Sequence, residues 1–312
     1  MTPTGRQIDD IRNLIRASVT TDVALSRFTS FKIGGPSDLV IEPKNLEELK
    51  KLILYLDQEK ITRVVLGAGT NVLFHDKGFR GVVIRTAALD SLEIHENGSD
   101  FCKVLLAAGA PLPHVVSMVC RHGLKGLEPL WGIPGSLGGA VVTNAGAGDV
   151  CIGEFLESVK LVNRCGRELA IGRGDLKYGY RYMSLPQGST VVEGILKLSR
   201  GDKDSITEEL ERSKARRRGK QPLDRPNAGC VFKNPSPDNP AGAVIDRLGF
   251  KGVCVGGAEV SPIHANFIVN RGNATAANVL ELIEQIRSTA YEKANVNLDL
   301  EICVIGEDVG ND

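Results

Sequence analysis

Cys230 lies in the run Asn227-Ala-Gly-Cys-Val-Phe-Lys-Asn-Pro235, a thiol between two asparagines and close to Lys233. Asn-Ala-Gly favours a turn in which the glycine takes positive φ without a Cβ penalty. A cysteine held there either gives and takes protons in a cleft or sits inert in a core. Phe232 is expected to anchor the strand that follows. Glu301 is the second candidate. Val296, Leu298, Leu300, Ile302 and Val304 alternate with Asn297, Asp299, Glu301 and Cys303. That period of two predicts a strand over 295–305 with Glu301 facing away from its own core. Such a carboxylate is either a rigidly mounted acid or a solvated strand residue. The third candidate is Lys214-Ala-Arg-Arg-Arg-Gly-Lys220, which holds five cations in seven residues. These could neutralise a pyrophosphate, but complementing a helix C-terminus accounts for most of them.

Chemistry of this kind needs something to act on, and the glycines suggest what. Glycine makes up 35 of 312 residues, above the usual share of about 7%. The excess clusters at 67–69, 123–148 and 249–257. Gly67-Ala-Gly-Thr-Asn71 is not a dinucleotide fingerprint, since position 72 is Val72, and no Walker lysine is present. Gly132-Ile-Pro-Gly-Ser-Leu-Gly-Gly139 continues through Asn144-Ala-Gly146 with few side chains. Backbone of this type either approaches phosphates and flat rings or packs between sheets.

The elements that would position these groups follow from periodicity. A strand at 38–42 leads to a helix with Asn45 as N-cap and Glu48 as the returning carboxylate. Leu46, Leu49, Leu52, Ile53 and Leu56 recur at helical spacing. A strand at 61–66 completes a βαβ unit, and the first glycine loop follows its carboxyl end. Further strands are expected at 81–85, 104–108, 158–163, 167–171 and 190–198. Helices are expected at 111–122, 203–218 and 274–294.

Composition sets outer limits. The length implies two or three domains. Lys+Arg and Asp+Glu are both 38, so nothing marks a nucleic-acid or membrane-surface partner. Seven cysteines without a C-x-x-C pair argue against zinc or a disulfide framework, so no metal is expected and a reducing, cytoplasmic setting is. The first residues lack the apolar run of a signal peptide, and no stretch approaches a membrane span of about 20 apolar residues.

Several separated segments, in order, resemble the UDP-N-acetylenolpyruvoylglucosamine reductase (MurB) family. They are Arg27-Phe-Thr-Ser-Phe-Lys-Ile-Gly-Gly35, Leu66-Gly-Ala-Gly-Thr-Asn-Val-Leu73, the 132–146 run, Tyr178-Gly-Tyr-Arg-Tyr182, Asn227–Pro235, Ala241-Gly-Ala-Val-Ile-Asp246 and Leu300-Glu-Ile-Cys-Val-Ile-Gly306. The resemblance implies an α+β, three-domain MurB-like architecture. Two FAD-binding domains of the vanillyl-alcohol-oxidase type would span 1–85 and 86–200, and a C-terminal α+β substrate domain 201–312. It implies noncovalent FAD, with Gly67, Ala68, Gly69, Thr70, Asn71, Ile133, Pro134, Gly135, Ser136, Gly139, Asn144 and Ala145 around it.

The activity implied is reduction of UDP-N-acetylglucosamine enolpyruvate to UDP-N-acetylmuramate by NADPH, in peptidoglycan precursor synthesis, by a monomer. Hydride passes through the flavin to C3 of the enolpyruvyl ether. Cys230, Arg181 and Glu301 match the family's catalytic positions. Arg181 would bind the carboxylate with its planar fork. A protonated Glu301 would hydrogen-bond the developing enolate, and Cys230 would protonate C2. A thiol, with a reference pKa of ~8.5, is a stronger acid than a serine hydroxyl. Lys233 and Asn234 are expected to face the UDP-sugar. With 48 residues between Arg181 and Cys230, the chain is similar to the shorter, type II subclass. The alternative is an FAD-dependent oxidase of the same flavin fold. It has no use for a proton donor, and His75 near the first glycine loop lies in no clear covalent-flavin motif.

Overall fold

The computed structural model describes residues 2–97 and 100–306. The chain forms two compact units. One comprises the chain up to Thr21, Leu39–Ala68 and Gly81–Arg216; the other comprises Asp22–Asp38, Gly69–Arg80 and the chain from Arg217 onward.

A four-stranded sheet, most of its residues in the first unit, has the order Ser18–Ala24, Pro36–Glu42, Phe79–Arg85, Arg63–Leu66. The helix Leu46–Gln58 buries Leu49, Leu52, Ile53 and Leu56, the stripe its spacing predicts. These pack with Leu39, Ile41, Val82 and Ile84 into one core. Asn45 caps this helix by accepting from Glu48 N–H at 2.9 Å. The Glu48 carboxylate does not return to Asn45. It accepts from Lys44 N–H at 2.9 Å and from Arg16 N–H at 3.1 Å. A donor far away in sequence has outcompeted the local one. A larger sheet follows, with the order Glu168–Gly172, Leu156–Val162, Thr190–Arg200, Phe101–Ala107, Leu92–Asn97. The helices Leu112–Arg121 and Leu137–Val142 contribute Val115, Val116, Val119, Leu137 and Val141 to its core. Gly123, at φ +68°, ends the first of these helices.

The second unit holds an antiparallel sheet of order Asn227–Cys230, Phe267–Asn270, Ala258–Val260, Cys254–Val255. The helix Ala276–Ala294 packs Val279, Leu282, Ile283 and Ile286 into the core with Phe31, Leu73, Phe232 and Ile268. Thr275 caps it in a box with Asn278, and the Asp76 carboxylate accepts from both Ala276 and Ala277 N–H at 2.8 and 2.9 Å. Leu282 lies inside, whereas Leu280 is only half-buried.

The strand expected over 295–305 is shorter. Only Cys303–Ile305 forms a ladder, parallel to Val72–Phe74. Residues 296–302 keep the alternation, with Leu298 and Ile302 buried and Asn297 and Asp299 exposed. Extended backbone is enough for alternation. A ladder also needs a partner strand, and here Leu300 has only an isolated bridge to Phe232. Among the described residues, no helix is long and apolar enough to cross a membrane.

Candidate functional site

Cys230 ends the strand Asn227–Cys230 at an irregularity in pairing. Asn227 faces Val269 and Cys230 faces Phe267, so three steps on one strand meet two on the other. The extra residue makes a bulge, with Gly229 at φ +80°. Asn227 helps shape it by accepting from Gly229 N–H at 2.9 Å through its side-chain oxygen. A bulge turns the strand and re-aims the side chain after it, and here that side chain is the half-buried Cys230 thiol. The strand therefore precedes Phe232 instead of following it. Phe232 is 1% exposed and anchors what comes after the thiol, a burial worth about 1.5–3 kcal/mol.

Glu301 is brought to the same stretch of backbone. Its N–H donates to Val231 O at 2.8 Å, and Lys233 N–H donates to Asp299 O at 2.8 Å. Asn71 adds a second clasp, donating from Nδ2 to Glu301 O at 3.0 Å while its own carbonyl accepts from Cys303 N–H at 2.9 Å. Cys230, Glu301 and Asn71 thus share one hydrogen-bonded cluster in the second unit. Lys233 is half-buried beside it. Asn234 accepts from Ala241 N–H at 3.1 Å, so this side chain also starts the helix Ala241–Arg247.

Asn266, which sequence reasoning missed, lies on the other side of the Cys230 segment. It is 3% exposed. Its neighbour His264 accepts the Asn266 N–H at Nδ1, 3.2 Å away. Burial, and then the Lys251 charge, pushes the His264 imidazole below its ordinary value, which keeps that nitrogen free to accept.

The remaining expected residues divide by unit. Gly69 and Thr70 join Asn71 in the second unit. Gly69 is at φ +67°, and a Cβ there would overlap the Phe28 carbonyl. Its glycine is demanded by neighbouring backbone. Gly67 and Ala68 belong to the first unit with Ile133, Pro134, Gly135, Ser136, Gly139, Asn144 and Ala145. A Cβ on Gly67 would overlap Ser136 Oγ, whereas a Cβ on Gly139 would come no nearer than 3.9 Å to any atom. Ser136 is 3% exposed, and its Oγ has no hydrogen-bond partner among the described residues. An unpaired buried hydroxyl costs about 1–3 kcal/mol, and a bound polar group would remove that cost.

Arg181, also in the first unit, sits at the tip of a two-residue hairpin between Tyr178–Gly179 and Tyr182–Met183. Its φ is +53°, a left-handed conformation that costs a non-glycine residue about 1–2 kcal/mol. Its guanidinium lies 5.2 Å from the centre of the Tyr180 ring. Asn144, at φ +44°, holds this hairpin next to its tip. Its Nδ2 donates to Gly179 O at 2.8 Å and its Oδ1 accepts from Gly153 N–H at 2.9 Å. Within the basic run, Lys214 pairs with Glu211 at 2.6 Å and Arg216 with Glu209 at 3.2 Å, so these two cations are engaged by carboxylates of their own helix.

Residues 37–172 match the family description "FAD binding domain", and residues 221–305 match "UDP-N-acetylenolpyruvoylglucosamine reductase, C-terminal domain". The α+β chain is a flavin-dependent oxidoreductase with FAD as its cofactor. The UDP-N-acetylenolpyruvoylglucosamine reductase of Moorella thermoacetica is 40% identical over 298 residues, covering 96% of this chain and 97% of that one. The enzyme of the same name from Caldanaerobacter subterraneus is 39% identical, with 96% and 98% covered. The crystal structure of the Thermus caldophilus reductase superposes with a TM-score of 0.79 at 35% identity, over 93% of this chain and 99% of that one. The chain belongs to the UDP-N-acetylenolpyruvoylglucosamine reductase family.

Proposed function

We propose that this protein reduces UDP-N-acetylglucosamine enolpyruvate to UDP-N-acetylmuramate at the expense of NADPH, as a cytoplasmic enzyme of peptidoglycan precursor synthesis. The observation that carries this reading is the cluster in which Val231 O holds the Glu301 N–H at 2.8 Å. It mounts a thiol and a carboxylate on one short stretch of fixed backbone.

The residues of the first unit fit FAD. The orphaned Ser136 hydroxyl offers a hydrogen bond, and beside Gly139 that same hydroxyl is the nearest atom, 3.9 Å from where a Cβ would stand. Gly67, Ala68 and the 133–136 run would line the cofactor with backbone, and Gly69, Thr70, Asn71 and Ala145 complete the proposed set. Asn144 would contribute through the hairpin it holds. When bound, FAD supplies the hydride, taken from NADPH and delivered to C3 of the enolpyruvyl double bond. The protein's own residues handle charge and the proton. Arg181 pairs with the substrate carboxylate through two parallel N–H bonds. Glu301, in its protonated form, donates a hydrogen bond to the oxygen on which the enolate charge gathers, a form of stabilisation worth about 10²–10³-fold when one donor is removed. Cys230 delivers the proton to C2, so hydride and proton together saturate the double bond. Its thiolate recovers a proton from solvent. Lys233 and Asn234 are assigned to the UDP-sugar.

The test is NADPH oxidation by the purified flavoprotein without oxygen, with and without the enolpyruvyl substrate. Oxidation well beyond one equivalent per flavin, and only with substrate, is the expected result. A single flavin reduction that only oxygen reverses would overturn the reading in favour of an oxidase.

A further inference from the structure

Asn266 spends its polar groups on the two peptides that follow Cys230. Its main-chain carbonyl accepts from Val231 N–H at 2.8 Å. Its Oδ1 accepts from Phe232 N–H at 2.9 Å, and its Nδ2 donates to Phe232 O at 2.8 Å. The side chain therefore acts as a strand partner exactly one residue long, at a point where the ladder has ended. On the far side the same segment is held through Val231 O and Lys233 N–H by residues 299–301. Remove the Asn266 side chain and Phe232 loses both of its bonds on this side, leaving only Val231 N–H held there, immediately after the bulge that aims the thiol.

Asn266 is itself fixed. It closes the turn between Ala258–Val260 and Phe267–Asn270. In that turn Ser261 Oγ accepts from Ile263 N–H at 3.1 Å, and Phe267 N–H donates to His264 O at 3.0 Å. A buried amide that spends both its oxygen and its nitrogen on one residue is a costly choice unless that segment must be held still.

We propose that Asn266 is a positioning residue for the Cys230 proton donor, and through Val231 O for Glu301. This rests on the reductase reading above. We assign Asn266 no contact with substrate or cofactor. It acts by limiting where the thiol can sit, and a misplacement of about 1 Å at a reacting group costs on the order of 10²-fold.

The test separates the two half-reactions in anaerobic stopped flow, using Asn266→Ser and the isosteric Asn266→Asp. Flavin reduction by NADPH should stay within about twofold of wild type. Flavin reoxidation by UDP-N-acetylglucosamine enolpyruvate should slow by about 10–100-fold, with a larger solvent deuterium isotope effect as proton delivery becomes limiting. In a Cys230→Ala background the same substitutions should change reoxidation by less than about threefold, because residues acting through one another are not additive. Equal slowing of both half-reactions would overturn the proposal. So would an undiminished loss in the Cys230→Ala background, reoxidation at the wild-type rate, or failure of both variants to retain flavin. Failure of the reductase reading looks different: wild-type reduced flavin would then not be reoxidised by the enolpyruvyl substrate at all.

Discussion

The buried Ser136 hydroxyl has no partner among the described residues, and the positions of Gly67 and Gly139 lie beside it. From Val231 to Lys233 the backbone is held by Asn266 on one side and residues 299–301 on the other, with five bonds between 2.8 and 2.9 Å. One region leaves polar capacity unspent, and the other consumes it. The difference fits the roles proposed for each. A cofactor cradle gains from groups that become satisfied only when the ligand arrives, even at a cost of about 1–3 kcal/mol beforehand. A proton donor gains from having nowhere else to go, since its efficiency depends on geometry before acidity.

The sharpest way to break this comparison is at the donor. Cys230→Ala should slow reoxidation of reduced flavin by substrate by about 10²–10⁴-fold, the usual loss for a general acid. NADPH should still bleach the flavin, and Cys230→Ser should retain much more activity. Normal turnover by Cys230→Ala, measured as NADPH consumption with substrate, would remove the thiol from the mechanism.

The cradle should respond with opposite signs in its two states. Ser136→Ala should weaken FAD binding by about tenfold, the worth of one hydrogen bond of about 1.4 kcal/mol. The apoprotein should be more stable to urea by about 1 kcal/mol, because an unsatisfied hydroxyl is gone. Titration of apoprotein with FAD and urea unfolding of the same sample check both arms. If both fall together, Ser136 is a structural residue.

The smallest effect concerns the strained hairpin tip. Arg181→Gly relieves the left-handed conformation but adds freedom to the unfolded chain, so stability should change by less than about 1 kcal/mol. Substrate affinity should nevertheless fall. A large drop in thermal stability would instead show that the Arg181 side chain holds the hairpin together.

Much of the scaffold could be read from residue order. The helix Leu46–Gln58 announced itself through Asn45 and a clean leucine stripe, both local signals. Glu48 did not behave locally, because Arg16 offers it a donor from 32 residues away. The helix Gly5–Leu14 escaped notice because it buries only Ile11 within an otherwise polar run. At the site, Cys230 and Glu301 could be named from their motifs, and their joining through Val231 could not. Asn266 carried no mark at all. An asparagine before Phe267 is unremarkable until the backbone of Phe232 is found against it. Ser136 stood out as part of a glycine run, but its unpaired state exists only once the fold has closed around it.

The second unit is assembled from distant pieces. Its strand Val72–Phe74 pairs with Cys303–Ile305, and Asp76 caps a helix beginning at Ala276. During synthesis, the first unit has all its segments once Arg216 has left the ribosome. The second lacks its closing strand for about 90 further residues, roughly 5–20 s at ordinary translation speeds. Over that interval Phe31 and Leu73 wait for a core most of whose other members run from Ala228 to Ile302. The newborn chain is then a half-finished protein, and that is when a chaperone would have something to hold.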